Sequence, residues 1–356
     1  MALSKQFLQD STLYDPRASQ LAFIQRQLFR EPPAWTQKDV DLSGKTAIVT
    51  GSNTGLGFEC SRQLLDLGLE RLILAVRSEA NGEEAKRSLL SGLKPGRIAV
   101  IEVWKLDLSS YDSILAFAER TKTLERLDIA IHNAGLIKSS FQKNNSTGHE
   151  EIIQVNYLAT ALFTLLLLPV LKEKSVSGQP GRLVIVSSDT AAWAAFKERN
   201  SEPLLAAFDK PESFDSQDRY ATSKLLGQMF LTELVKRVPS SVAIINAPNP
   251  GLCKSSLARE MTSPFQKVFM AVFYFLLGRT VSVGARAFTD AAVKQGAESH
   301  GQYLEDGKIQ PMPPLLYEPE GEKIAERLWR ETLDELAFAN VAKIVDSLSE
   351  LDTLRW

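Results

Sequence analysis

Cysteine and histidine are scarce in this chain, and their scarcity closes off two kinds of chemistry. Only Cys60 and Cys253 are present, too few for the disulfide framework that staples small secreted domains. A reduced pair in a cytoplasmic protein is expected, with a single bridge left open. The three histidines, His132, His149 and His300, are scattered without ligand spacing, so no metal site is read. An excess of basic charge is also missing: the formal net charge is -2, which argues against a nucleic-acid partner. No apolar run reaches the roughly 20 residues that span a bilayer. The longest, VFMAVFYFLL at 268–277, is suited to a buried helix, a substrate-side lid or a flap in peripheral contact with a membrane. The first residues, MALSKQFLQDSTLYDPRASQ, lack the apolar centre of a secretory signal.

What is present is an ordinary globular composition over 356 residues, 44% hydrophobic and 24% charged. After a polar, proline-containing leader, short apolar bursts alternate with amphipathic stretches. The bursts TAIVT (46–50), RLILAV (71–76), IAVIEV (98–103), LDIAIH (127–132), RLVIVS (182–187) and SVAIINA (241–247) read as buried parallel strands. Helical spacing lies between them, as in GFECSRQLLDLG, where Gly68 is placed to cap a helix. Six strands alternating with helices predict an α/β fold, a doubly wound parallel sheet flanked by helices. In such sheets ligands bind beyond the carboxyl ends of the strands.

Directly after the first strand comes TGSNTGLG, in which Gly51, Ser52, Asn53, Thr54, Gly55, Leu56 and Gly57 lead into a helix. Backbone without side chains can approach a pyrophosphate closely, and a helix amino terminus offers it free N–H groups and a positive dipole end. At the end of the second strand, LILAVRSEA has no acid for ribose hydroxyls and carries Arg77 instead. An arginine there pairs with the 2′-phosphate of NADP, so NADP(H) is the expected cofactor; a solvated surface charge is the plainer reading. Further on, DRYATSKLLGQMF sets Tyr220 four residues before Lys224. Four residues rise about 6 Å on nearly one helix face, so the cation is expected to lower the phenol from its ordinary value of about 10.

The glycine spacing, T-G-x-x-x-G-x-G, together with the tyrosine–lysine pair, resembles the short-chain dehydrogenase/reductase family, and the likeness runs over about residues 42–340. Asp107 in KLDLSS resembles the family's aspartate near the adenine ring, and Asn133, Ala134 and Gly135 its N-A-G turn. Asn156 matches the mid-helix asparagine, and Ser188 the serine closing the strand. NPGLCKSS (249–256) is similar to the nicotinamide loop, with Pro250, Gly251 and Ser255 in the contact positions. The tail motifs GARAFTDAAV, HGQYLEDG and AERLWRETLDEL resemble retinol-dehydrogenase-like members and fungal secondary-metabolite reductases.

The resemblance implies a Rossmann-type sheet of about seven strands in one domain, residues 42–342. An amino-terminal extension (1–41), a helical insertion (189–219), a substrate lid (256–285) and a carboxyl-terminal tail (343–356) complete the expected organisation. The insertion is expected to cover the face that relatives use to dimerise, which favours a monomer over a homodimer. It further implies catalysis by Ser188, Tyr220, Lys224 and Asn156 on a small lipophilic ketone or aldehyde of the polyketide or terpenoid kind, or the reverse oxidation. Ser188 would steady the carbonyl oxygen, Tyr220 exchange its proton, and Asn156 hold a water linking Lys224 to solvent. The plainer alternatives are a serine that caps the next helix and an asparagine that bonds backbone. Reduction of a conjugated C=C bond, or a non-redox scaffold keeping the nucleotide fold, are the competing functions.

Overall fold

The computed structural model describes residues 20–176, 178–254 and 274–349. Its centre is an eight-stranded sheet in the order β3-β2-β1-β4-β5-β6-β7-β8. The strands are β1 (Thr46–Thr50), β2 (Arg71–Val76), β3 (Val100–Lys105), β4 (Ile129–His132), β5 (Gly181–Ile185), β6 (Ala243–Asn249), β7 (Gln302–Glu305) and β8 (Lys308–Gln310). All neighbours are parallel except β7 and β8. Every residue of β1, β4 and β6 is buried, as strands covered on both faces require.

Nine helices are labelled along the described chain: α1 (Gln20–Phe29), α2 (Gly55–Asp66), α3 (Glu79–Ser91), α4 (Tyr111–Thr121), α5 (Glu151–Lys174), α6 (Ser216–Leu234), α7 (Val281–Val293), α8 (Pro319–Glu335) and α9 (Val341–Ser349). One face of the sheet packs Leu64 of α2, Ala85 of α3 and Phe288 of α7, and the other packs Phe117 of α4, Leu162 of α5 and Leu226 of α6. Each fully buried leucine contributes about 1.5–3 kcal/mol. Among the described residues, α5 alone is long and apolar enough to cross a bilayer, and most of it is buried inside the molecule.

Several sequence-based boundaries move. β3 lies two residues later than expected because its register is set by pairing Val100–Lys105 with Arg71–Val76, leaving Ile98 exposed. β6 likewise runs on through Pro248 to Asn249, since those residues pair with β7. The sheet has eight strands rather than about seven. The β7–β8 hairpin turns at Asp306 and Gly307, both with positive φ, and that D-G pair was its sequence signal.

The insertion ends at Asp215, which caps α6 by accepting from the Asp218 amide at 2.8 Å. Residues 255–273, which hold Ser255 and most of the expected lid, lie outside the described residues. The 274–285 portion already includes the start of α7, capped by Thr280. The 342/343 boundary falls within α9. Val341, Val345 and Leu348, spaced to share one helix face, are buried in the main core, so the folded unit continues to Ser349.

Parallel pairing of β1 with both β2 and β4 makes a topological switch point at the carboxyl end of β1, where the chain leaves for opposite faces. A crevice for a ligand opens at such a point.

Candidate active site

The glycine loop leaves β1 at this switch point. Gly51 adopts φ 63°, and a Cβ there would stand 3.1 Å from Ala134 Cα and Cβ. Gly57 is packed more tightly: a Cβ would meet Asn133 Nδ2 at 2.4 Å and Gly51 O at 2.6 Å. Asn133 holds this packing by donating Nδ2 to Thr50 O at 2.9 Å and Gly51 O at 3.3 Å. The Ala134 amide donates to Thr50 Oγ1 at 2.9 Å. The N-A-G turn therefore braces the loop from β4, and Asn133 works through backbone carbonyls.

Two observations fit an anionic ligand in the loop. Thr54 makes no side-chain cap, so the first amides of α2 keep their free donors. Ser52 Oγ is buried without a hydrogen-bond partner. A dinucleotide pyrophosphate would supply what both lack, and Ser52 to Gly57 are the residues that would hold it. Arg77 is exposed just beyond β2, beside the loop, because the Gly51 amide donates to Ala75 O at 2.9 Å. Asp107, half-buried after β3, uses Oδ1 to accept from the Ser109 amide at 3.0 Å.

Ser188, Tyr220 and Lys224 meet beyond the end of β5. The Tyr220 phenol lies beside the Ser188 side chain and close to Asp189 and Tyr274. Burial, reinforced by the Asp189 carboxylate, pushes the phenol well above its ordinary value, with the neighbouring Ser188 hydroxyl opposing. This reverses the direction expected from the sequence. The reason is geometric: Lys224 Nζ lies 5.8 Å from the centre of the Tyr220 ring and donates to Val186 O at 2.9 Å. Burial pulls the lysine itself down to about 8. Ser188 also caps the turn Asp189–Trp193, accepting from the Thr190 amide at 3.2 Å, so the capping reading and the catalytic one coexist.

Asn156 sits in a π-helical stretch, Gln154–Leu158, of the kind that gathers at functional sites. Its Oδ1 accepts from Leu136 N at 2.8 Å, and its Nδ2 donates to Leu136 O at 2.9 Å and Ser223 Oγ at 3.1 Å. The side chain is thus fully engaged, tying α5 to the loop after Gly135. A Cβ at Gly135 would be 3.2 Å from Asn156 Oδ1 and 3.9 Å from Lys224 Nζ, so these groups crowd one spot. Lys224 and Asn156 also border a small cavity of about 20 Å³ measured over water centres, enough for one water molecule.

On the far side lie Pro250 and Gly251. Gly251 has φ 72°, and a Cβ there would come within 2.7 Å of Gln27 Oε1 and 2.9 Å of Arg279 Nη1. Gln27, from α1, donates to Leu252 O at 2.6 Å and Leu277 O at 2.8 Å, and accepts from Leu252 N at 3.1 Å. Arg279 donates to Pro250 O at 3.2 Å and pairs with Asp306 at 2.9 Å.

The leader segment therefore clamps this loop, a role its sequence did not disclose. Also missed were Asp189, Asn249, Tyr303, Glu305 and Arg26, which cluster beside Ser188. Asp189 and Asn249 adjoin motif residues and could have been flagged by that adjacency. Nothing local marks Arg26, whose partner Glu305 is 279 positions away.

A family model described as short chain dehydrogenase matches residues 45–198. The short-chain dehydrogenase fogG of Aspergillus ruber is 51% identical over 341 residues, covering 94% of this chain and 97% of that protein. The short chain dehydrogenase/reductase mfmJ of Annulohypoxylon moriforme is 48% identical, covering 91% and 93%. Among solved structures, an uncharacterized protein from Mycobacterium paratuberculosis aligns with TM-score 0.61 at 24% identity, over 85% of this chain and 97% of its own. An NAD(P)-dependent protein assigned as a gluconate 5-dehydrogenase from Beutenbergia cavernae, solved with NADP at low occupancy, aligns at 0.53 and 18% identity, over 75% and 96%. The structural matches carry the fold alone.

Proposed function

Because this chain belongs to the short-chain dehydrogenase family, we propose that it is an NADPH-dependent reductase of a lipophilic ketone or aldehyde, of the kind found among secondary-metabolite intermediates. The observation that carries this reading is the meeting of the Ser188 hydroxyl with the Tyr220 phenol at the carboxyl end of the sheet, one helical turn from Lys224.

A bound nicotinamide dinucleotide supplies hydride to the carbonyl carbon. Negative charge then develops on the substrate oxygen, where Ser188 donates a hydrogen bond. Tyr220 gives that oxygen its proton as the carbonyl π bond becomes a C–O single bond. The phenol is protonated at neutral pH and so carries the proton the step needs, while burial makes it a weaker acid than a free phenol. Lys224 remains within reach of the phenolate left behind, and the water-sized cavity at Asn156 and Lys224 offers a route for reprotonation.

Preference for NADP(H) rests on Arg77, whose exposed guanidinium beyond β2 suits a 2′-phosphate. The lipophilic substrate rests on an apolar pocket wall beside Ser188 that includes Trp193, Pro311 and Met312. A monomer is supported by α6, most of which is buried and whose Phe230 stacks on Trp329 of α8 at 5.5 Å, leaving little of it for a dimer face. Peripheral membrane contact would use the exposed Phe275 and Leu276.

The test is NADPH and NADH oxidation, followed by absorbance with lipophilic ketones, aldehydes and enones, with Tyr220→Phe as control. Alcohol formation with NADPH that disappears in the variant supports the reading. A saturated product that retains its carbonyl replaces it with C=C reduction.

A further inference from the structure

The pocket beside Ser188 has a polar corner that the reduction step does not use. It offers about 40 Å³ measured over water centres, room for a small polar group, and it opens to solvent. Three distant segments build it: the turn after β5 with Asp189 and Trp193, β7 with Tyr303 and Glu305, and α1 with Arg26. Asp189 follows Ser188 in the chain, and its Oδ1 accepts from Ser188 Oγ at 3.4 Å, so this corner lies next to the reacting oxygen.

Most of the corner's polar atoms have partners. Glu305 Oε1 accepts from Arg26 Nε at 3.2 Å and from Asn249 Nδ2 at 3.2 Å. Three lining atoms remain: Asp189 Oδ2, Tyr303 Oη and Gln228 Oε1 are buried without a hydrogen-bond partner among the described residues, with the Asn249 amide close to the first two. A buried polar atom left unpaired costs roughly 1–3 kcal/mol, so a ligand able to pair them is strongly selected. Two of these atoms are acceptors and the third is a phenol that donates or accepts. Their complement is a hydroxyl group, which does both.

Charge narrows the choice further. The corner holds two carboxyl groups, Asp189 and Glu305, against the single guanidinium of Arg26, which Glu305 already engages. A carboxylate or phosphate on the substrate would meet a surplus of like charge. A neutral hydroxyl meets none. Of the remaining wall, Trp193, Pro311, Met312 and Pro313 are apolar, beside Gln228 and Gln310, and they take the carbon skeleton.

Resting on the reading that Ser188 and Tyr220 hold a carbonyl, we propose that the substrate is a hydroxylated carbonyl compound. Its neutral hydroxyl, close to but separate from the reacting oxygen, is bound between Asp189 and Tyr303. These two residues then set specificity for the hydroxyl, and α1 completes the corner by placing Arg26 on Glu305.

The test uses the ortho-, meta- and para-hydroxybenzaldehydes and hydroxyacetophenones beside their unsubstituted parents and methyl ethers. Turnover with NADPH and calorimetric binding in the presence of NADP are both measured. The wild type is expected to prefer at least one hydroxylated isomer over its parent and its ether by about 10²-fold or more in kcat/KM, as for sites built to pair a substrate hydroxyl. Tyr303→Phe is expected to reduce that ratio by about tenfold. Asp189→Asn, which keeps the shape and exchanges an acceptor for a donor, should move it the same way. Equal kcat/KM for all compounds, or a Tyr303→Phe effect that is the same on hydroxylated and parent compounds, overturns the proposal.

Failure of the reductase reading looks different. In that case no compound consumes NADPH, yet a hydroxylated isomer still binds in preference to its parent and the preference shrinks in Tyr303→Phe. Binding that is equal or absent throughout overturns the hydroxyl corner itself.

Discussion

Lys224 directs its ammonium at the backbone carbonyl of Val186, 2.9 Å away, and faces the ring of Tyr220 at 5.8 Å from its centre. The lysine is thereby fixed to the end of the strand that carries Ser188, and the phenol next to it is left to burial and to Asp189. Removing the phenol oxygen should therefore remove the proton donor without disturbing the fold around it. Tyr220→Phe is expected to cut turnover by about 10²-fold or more while leaving cofactor affinity nearly unchanged, as single-turnover kinetics and cofactor titration would show. Near-normal turnover would refute the role given to Tyr220.

Arg77 is exposed beyond β2, next to the loop that begins at Gly51. Arg77→Ala is expected to raise the Kd for NADPH by about 10- to 100-fold, the loss of a charge-assisted pair, with little change for NADH. Equal loss for both cofactors would mean that the arginine does not read the 2′-phosphate.

Gln27 makes three hydrogen bonds from α1 to the segments around Leu252 and Leu277. Gln27→Ala removes them at a net cost of about 0.5–1.5 kcal/mol each. Loosening of the Pro250–Gly251 loop should appear as about a tenfold weaker cofactor affinity together with a drop in melting temperature. A lower melting temperature with unchanged affinity would leave α1 a purely structural strap.

His149 contacts carboxylates through both ring nitrogens, Asp209 at 3.1 Å and Glu335 at 3.0 Å, and Tyr111 donates to the same Glu335 oxygen at 3.5 Å. Burial opposes the charge, but the two carboxylates outweigh it and raise the imidazole from 6.5 to about 9. Because the folded value is the higher one, protonation favours the fold. The contribution, at most about 3 kcal/mol, is fully present below about pH 6.5 and is lost as the pH rises through about 9. Urea midpoints across this range should fall toward alkaline pH, and the fall should be much smaller in His149→Gln.

Arg219, immediately before Tyr220, is 2% exposed and pairs with Glu198 at 3.0 Å and Glu150 at 3.6 Å. It also donates to Phe208 O at 2.7 Å, holding the insertion against α6. Arg219→Met leaves buried carboxylates uncompensated and is expected to destabilise the protein by about 3–5 kcal/mol, measured by denaturant unfolding. An effect below about 1 kcal/mol would show that the insertion is held by apolar packing instead.

Much of this molecule was legible in its sequence because the relevant signals are local. The apolar bursts at 46–50 and 71–76 are strands with the ends read for them, since a strand buried on both faces must be apolar throughout. Gly51 and Gly57 announced a tight loop, and the structure supplies the cause in the crowding by Ala134 and Asn133. Tyr220 and Lys224 share a helix, so their proximity follows from helical pitch alone. The effect of the lysine on the phenol was misjudged, because pitch sets distance along a helix and says nothing of which carbonyl an ammonium will choose.

What the sequence determined by itself was thus the alternation of strands and helices, the phosphate-cradling turn and the tyrosine–lysine pair, each encoded within a dozen residues. The tertiary structure alone decided that α1 would reach the pocket, that Glu305 would receive Arg26, and that Asp189 and Tyr303 would share an unsatisfied corner. These groups come from opposite ends of the chain, and no local periodicity encodes a contact across 279 positions. Only the sheet, by placing β7 beside β6 and β6 beside β5, brings their side chains to one edge.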